Sequence, residues 1–136
     1  MRVLLDTNVL LDVFLQRAPW VAEASAVWQA NDQGRITAFV PATALTDIYY
    51  VARRLVGRQR ARTAVRTCLD AFETCTVDRQ ALEHAFSLPG SDFEDNLQIA
   101  CALLYRLDAI VTRDKQGFTG ATIPALTPAE LLTQFT

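Results

Sequence analysis

The chain has 136 residues, 51% of them hydrophobic, with 13 Lys and Arg against 15 Asp and Glu for a formal charge of −2. A chain of this length is expected to form one domain with its own core, needing neither disulfides nor a structural metal, and the composition excludes disorder and coiled coil. Its apolar runs, such as Val3 to Leu5 and Ile99 to Leu104, fall far below the ~18 residues that suggest a membrane span. Asp6 interrupts the first run too early for a signal peptide, so a cytoplasmic location is expected.

In chain order, Val3 to Leu5 reads as a short buried strand and Pro19 to Ala30 as a helix with Val21, Ala24, Val27 and Trp28 at helical spacing. Ile36 to Val40 is a second strand. Ala42 to Val56 and Arg58 to Phe72 are helices divided at Gly57, the second with Ala61, Val65, Cys68, Leu69 and Phe72 on one face. Thr74 to Val77 is a strand, and Asp78 to Phe86 and Ser91 to Leu107 are helices. The strands Ala109 to Thr112 and Thr122 to Leu126 follow, then a helix from Pro128 to Phe135. Helices alternating with short apolar strands predict an α/β domain with a mainly parallel sheet. Cys68, Cys75 and Cys101 are odd in number, lack a C-x-x-C pair and sit in apolar segments, as small core residues do. Three serines, one histidine and five glycines leave little for a hydrolase triad, a His-rich metal site or a glycine-rich phosphate loop. Catalysis would fall to carboxylates.

Ligands of such sheets bind outside the carboxyl ends of the strands. The first strand ends in Asp6-Thr7-Asn8 and the fourth in Thr112-Arg113-Asp114, so two acids leave two strands at one edge. Either alone has the ordinary reading of a turn residue or helix cap. The segment Leu97 to Leu104 is apolar on nearly every side except Gln98, the mark of a buried helix, and its first turn carries Asp92, Glu94 and Asp95. Ser91 and Glu94 fit a capping box, which makes Glu94 structural. Asp92 is open to both a helix-start and a functional role, whereas capping does not explain Asp95. Asp47 lies at the edge of the apolar stripe Ala44, Ile48, Val51, Ala52 and Leu55, partly desolvated unless a cation meets it; Arg54 is a candidate partner. Several carboxylates at one edge repel one another. A divalent cation resolves the repulsion, and oxygen-only donors select Mg²⁺ or Mn²⁺, which points to metal-assisted phosphodiester hydrolysis.

Three segments, Val-Leu-Leu-Asp6-Thr-Asn8-Val-Leu-Leu-Asp, Asp92-Phe-Glu-Asp95-Asn-Leu-Gln-Ile-Ala and Ala-Ile-Val-Thr112-Arg-Asp114 with Phe118 downstream, resemble the PIN domain in the version of bacterial VapC-like toxins. The resemblance spans essentially the whole chain. It implies a five-stranded parallel sheet flanked by helices in a three-layer sandwich, Mg²⁺- or Mn²⁺-dependent ribonuclease activity, homodimers and a small antitoxin partner. By position, Asp6, Asp95 and Asp114 match metal-holding acids. Asp47 takes the second-acid position, where many members have Glu. Asn8 and Thr112 match polar residues that orient carboxylates or water. The implied mechanism has the metal, held chiefly by Asp6 and Asp95, activating a water for in-line attack that leaves a 5′-phosphate and a 3′-hydroxyl.

RNA would need positive charge, and six arginines (Arg53, Arg54, Arg58, Arg60, Arg62, Arg66) lie between residues 53 and 66 with no acid among them. Arg54, Arg58, Arg62 and Arg66 are the candidate RNA contacts; a solvated helix face is the plain alternative. Aromatics such as Tyr49, Tyr50 and Phe72 are more often core residues than base-stacking platforms. A receiver domain would want adjacent acids after the first strand, and a haloacid dehalogenase-type phosphatase a second carboxylate at position 8. A catalytically silent PIN domain that binds RNA or protein is the remaining rival, and the retention of all four acids argues against it.

Overall fold

The computed structural model describes residues 1–135. Five strands, β1 (Arg2–Leu5), β2 (Thr37–Pro41), β3 (Glu73–Cys75), β4 (Ala109–Val111) and β5 (Ala125–Leu126), form one parallel sheet in the order β3-β2-β1-β4-β5. Seven helices flank it: α1 (Thr7–Phe14), α2 (Val21–Asp32), α3 (Ala42–Val56), α4 (Arg58–Ala71), α5 (Arg79–Ser87), α6 (Phe93–Leu104) and α7 (Pro128–Thr133). The α/β class and the five-stranded sheet are as expected, and every strand pair is parallel.

The alternation of side chains along a strand divides the core. Val3 and Leu5 of β1, with Ala38, Val40, Ala109 and Val111, pack on one side with residues of α1, α2, α3, α4 and α7. Leu4, opposite Phe39 and Ile110 in register, packs on the other with Ala81 and Ala85 of α5 and Leu97, Ala100 and Cys101 of α6. Both sheet faces are therefore covered, which explains strands that read as apolar runs. The three cysteines are buried and free, and burial is the leading cause that holds their thiols well above the ordinary range.

Central β1 has β2 and β3 on one side and β4 and β5 on the other, so the chain order reverses beside β1. The crevice at its carboxyl end is where this topology places a ligand. Gly57, at φ +90°, makes the corner between α3 and α4, a conformation that L side chains rarely adopt.

The structure corrects several expected boundaries. Helix α1 is absent from the sequence reading: it is only eight residues long and follows β1 after the single residue Asp6, so its apolar residues run on from those of the strand. Helix α6 starts at Phe93 and ends at Leu104 rather than spanning 91–107, and the last strand shortens to two residues. A 3-10 turn, Lys115–Phe118, connects β4 toward β5.

Candidate active site

Asp6 follows β1 and occupies the N-cap position of α1, where an aspartate ordinarily accepts a hydrogen bond from the helix's first turn. Its side chain makes no such bond. Instead Oδ1 accepts from Gln98 Nε2 of α6 at 3.0 Å and Oδ2 accepts from the Thr112 hydroxyl beyond β4 at 2.8 Å. Thr112 is fully buried, and its hydroxyl oxygen also accepts from the Asp114 backbone N–H at 3.1 Å. One hydroxyl thus links the two strand-end acids. Capping does not account for Asp6; the side chain is oriented by its neighbours across the sheet edge.

Around Asp6 opens a cavity of about 520 Å³ whose acidic lining comprises Asp6, Asp47, Asp92, Glu94, Asp95 and Asp114. Asn8 and Gln98 also line it, and Arg54 and Tyr50 of α3 stand on its wall. The structure therefore brings the four sequence-predicted acids, Asp6, Asp47, Asp95 and Asp114, together with Asn8 and Asp92. Thr112 reaches the site through Asp6 rather than by lining the cavity.

Two of the capping assignments change. Asp92, not Ser91, caps α6: its Oδ1 accepts from the Asp95 backbone N–H at 2.9 Å. Glu94 is released from the expected capping box and joins the cavity. Asp114 has a structural duty as well, because its Oδ1 accepts from the Gln116 N–H at 3.2 Å and caps the 3-10 turn. Asp47 has no ion pair with Arg54 among the described residues; it lines the cavity with Glu94.

The electrostatics follow from this crowding. Partial withdrawal from solvent pushes the Asp95 carboxyl up to about 6, with the charges of Asp92, Asp6 and Asp114 adding to it. Glu94 is pushed up to about 7 by partial desolvation first, and then by the neighbouring carboxyls of Asp47, Asp92 and Asp6. Asp95 is further confined by the 3-10 turn: a Cβ placed on Gly117 would overlap its carboxylate, so only glycine allows the turn to lie this close.

Buried Gln98 spends its amide N–H on Asp6, and its Oε1 has no hydrogen-bond partner among the described residues. A buried orphan acceptor costs about 1–3 kcal/mol and calls for an explanation. Among the described residues, no group of three or more His, Cys, Asp or Glu side chains is gathered closely enough to hold a metal ion as it stands. The donor set, oxygen atoms of carboxylates with the unpartnered Gln98 Oε1 beside them, suits a hard cation that keeps several waters.

The arginines separate. Arg54 lines the acidic cavity. Arg62 and Arg66 line a second groove between α3 and α4, with Arg66 paired to Asp70 at 2.9 Å. Arg58, at the start of α4, is exposed and lines neither.

Sequence reasoning also missed Asp12. It is 1% exposed and accepts from Arg113 Nε at 2.9 Å, with Arg17 at 3.6 Å. Its signal was a charge at the end of the apolar run Val9 to Leu11.

A family model described as the PIN domain matches residues 2–116. The chain belongs to the PIN domain family. Among solved structures, this PIN domain is similar to a chain of a toxin-antitoxin complex from Klebsiella pneumoniae, at 24% identity and TM-score 0.68, covering 93% of this chain and 97% of that one. It is also similar to a chain of DNA-bound VapBC from Salmonella typhimurium, at 17% identity and TM-score 0.71, covering 94% and 98%. A third likeness is the sarcin-ricin loop cleaving VapC toxin of Mycobacterium tuberculosis, at 13% identity and TM-score 0.69, covering 85% and 92%. At these identities the likeness is one of fold. No curated protein matches the sequence. No helix of the described residues is long and apolar enough to cross a membrane.

Proposed function

We propose that this PIN domain is a single-domain endoribonuclease dependent on Mg²⁺ or Mn²⁺ and the toxin of a toxin-antitoxin pair. The observation that carries the reading is Asp6: a carboxylate at a helix N-cap position that caps nothing, held by Thr112 and Gln98 at the head of a cavity with five further acids. Asp6, Asp95 and Asp114 would hold the cation and Asp47 would be the fourth catalytic carboxylate. When bound, the cation supplies a Lewis acid and a water of lowered pKa.

The chain's own residues do the rest. Thr112 and Gln98 fix the Asp6 carboxylate before substrate arrives, so no reorientation is needed. Asp92 pins the first turn of α6 and with it Asp95. Glu94, its carboxyl pushed up to about 7 chiefly by partial desolvation, would make the cavity less negative toward an approaching phosphodiester. Arg54, which lines the cavity, would meet a phosphate oxygen, and Arg58, Arg62 and Arg66 would be the outer RNA contacts. The partners expected are RNA, a second copy of the chain and a small antitoxin protein. Support for the last comes from neighbours crystallised in toxin-antitoxin complexes.

Thermal unfolding in Mn²⁺ tests the metal reading. A ligand that binds only the folded state adds about 2.7 kcal/mol at 100 times its dissociation constant. The melting temperature should rise with Mn²⁺ and the rise should vanish in Asp6→Asn. Equal rises in both proteins would remove the site from Asp6.

A further inference from the structure

Tyr50 departs from the core role expected of it: it is 59% exposed on α3 and lines both the acidic cavity and the neighbouring groove between α3 and α4. The groove encloses about 390 Å³, its apolar lining drawn from Leu45, Tyr49, Val65 and Leu69, with Arg62 at its edge. That volume lies in the range of pockets that take a small-molecule-sized group. Tyr49 packs edge-to-face on Tyr50 with ring centroids 5.3 Å apart, which steadies the ring while most of it remains in solvent.

We infer that Tyr50 and this groove form a nucleobase subsite for single-stranded RNA, receiving an unpaired base of a nucleotide adjacent to the phosphate in the acidic cavity. The inference rests on the cavity being a phosphodiester site. Three observations select RNA over an apolar protein segment as occupant. The groove is continuous with the acidic cavity through one side chain, Tyr50. Its flanking cations are the right sign for a polyanion, and among the described residues neither Arg54 nor Arg62 has an ion-pair partner. An exposed aromatic face beside such cations is how single-stranded nucleic acid is held without base-specific hydrogen bonds, the base stacking and the arginines following the backbone. The subsite would therefore favour unpaired RNA with little sequence preference.

The test uses a short single-stranded RNA bearing 2-aminopurine, whose fluorescence falls on stacking, titrated with the full chain and its Tyr50→Ala, Tyr50→Leu, Tyr50→Phe and Arg62→Ala variants. Wild type and Tyr50→Phe should quench the probe. Tyr50→Ala and Tyr50→Leu should lose the quench and bind about tenfold more weakly. Arg62→Ala should keep the quench and flatten the salt dependence by roughly 0.7 in slope for one lost phosphate contact. In cleavage, Tyr50→Leu should raise KM and leave kcat unchanged, as loss of uniform binding does. Quenching by Tyr50→Leu equal to wild type would overturn the subsite. So would RNA binding that is unchanged in Tyr50→Leu while self-association is altered, which would assign the groove to a protein partner. A protein that cleaves no RNA yet shows a Tyr50-dependent quench would sink the nuclease reading and leave the stacking surface standing.

Discussion

Arg113 donates from Nε to Asp12 Oδ2 at 2.9 Å, tying the turn after β4 to helix α1. The guanidinium also lies over the Trp20 ring at 3.8 Å from its centroid, and residue 113 stands between Thr112 and Asp114, both parts of the site. Asp12 is 1% exposed, whereas the Arg113 and Arg17 side chains are 25% and 29% exposed. Removing Arg113 therefore leaves a buried carboxylate with only a distant partner, whereas removing the charge of Asp12 leaves arginines that can reach water. Arg113→Met should cost about 3 kcal/mol and Asp12→Asn about 1 kcal/mol. The double variant should cost less than the sum, as urea unfolding would show. A larger loss for Asp12→Asn would contradict this ordering.

Without a cation, the acidic cavity should make the protein less stable as pH rises. Asp95 and Glu94 are held at about 6 and about 7 in the fold, above the ordinary carboxylate values near 4 that the unfolded chain keeps. The unfolded state gives up these protons first, so their contribution is complete below pH ~4 and fades as pH climbs through 6 to 7. In chelator, the melting temperature should show a fall across that window that Glu94→Gln and Asp95→Asn each reduce. Mn²⁺ should remove most of it, binding more tightly at higher pH because it displaces protons. A melting temperature that rose with pH in chelator through this window would reverse the sign.

The Thr112 hydroxyl and the Gln98 amide both orient the Asp6 carboxylate. Thr112→Val and Gln98→Leu should each weaken Mn²⁺ binding by roughly 10–100-fold, measured by titration against melting temperature. Binding unchanged in both would mean that Asp6 needs no such positioning.

Gly117 probes Asp95 from the other side. A methyl group at 117 meets the Asp95 carboxylate, so Gly117→Ala should lower RNA cleavage while the sheet and its helices remain intact by circular dichroism. Gly120→Ala, in the same loop with no atom near its Cβ position, serves as a contrast: it strains only a positive φ and should spare cleavage. Equal losses would assign the effect to the loop backbone rather than to Asp95.

Much of the fold was legible because its strands are buried on both faces and stand out as short apolar runs between helical patterns. Helix α1 was not, since its eight residues follow the first strand after Asp6 alone and merge with the strand's apolar run. Within the site, Asp6 and Asp95 could be picked out by place alone, one at a strand end and the other on a buried helix. Glu94 could not: the pattern Ser91 to Glu94 mimics a capping box, and only the shift of the cap to Asp92 frees it. Gln98 was visible as the polar exception on α6, but its bond to Asp6 spans 92 residues of sequence and has no local signal. Tyr50 was misplaced because an aromatic at helical spacing looks the same from the sequence whether it faces a core or a groove.

The most direct test of the central claim is cleavage of an end-labelled single-stranded RNA by wild type, Asp6→Asn and Asp95→Asn, with Mn²⁺ and with chelator. Wild type should cleave only with the metal and leave 5′-phosphate and 3′-hydroxyl ends. Both variants should lose more activity than the roughly 10–100-fold typical of residues that only orient a ligand. Cleavage that survives chelation, or that proceeds at the wild-type rate in Asp95→Asn, would contradict the assignment of this acidic cavity as a metal-dependent nuclease site.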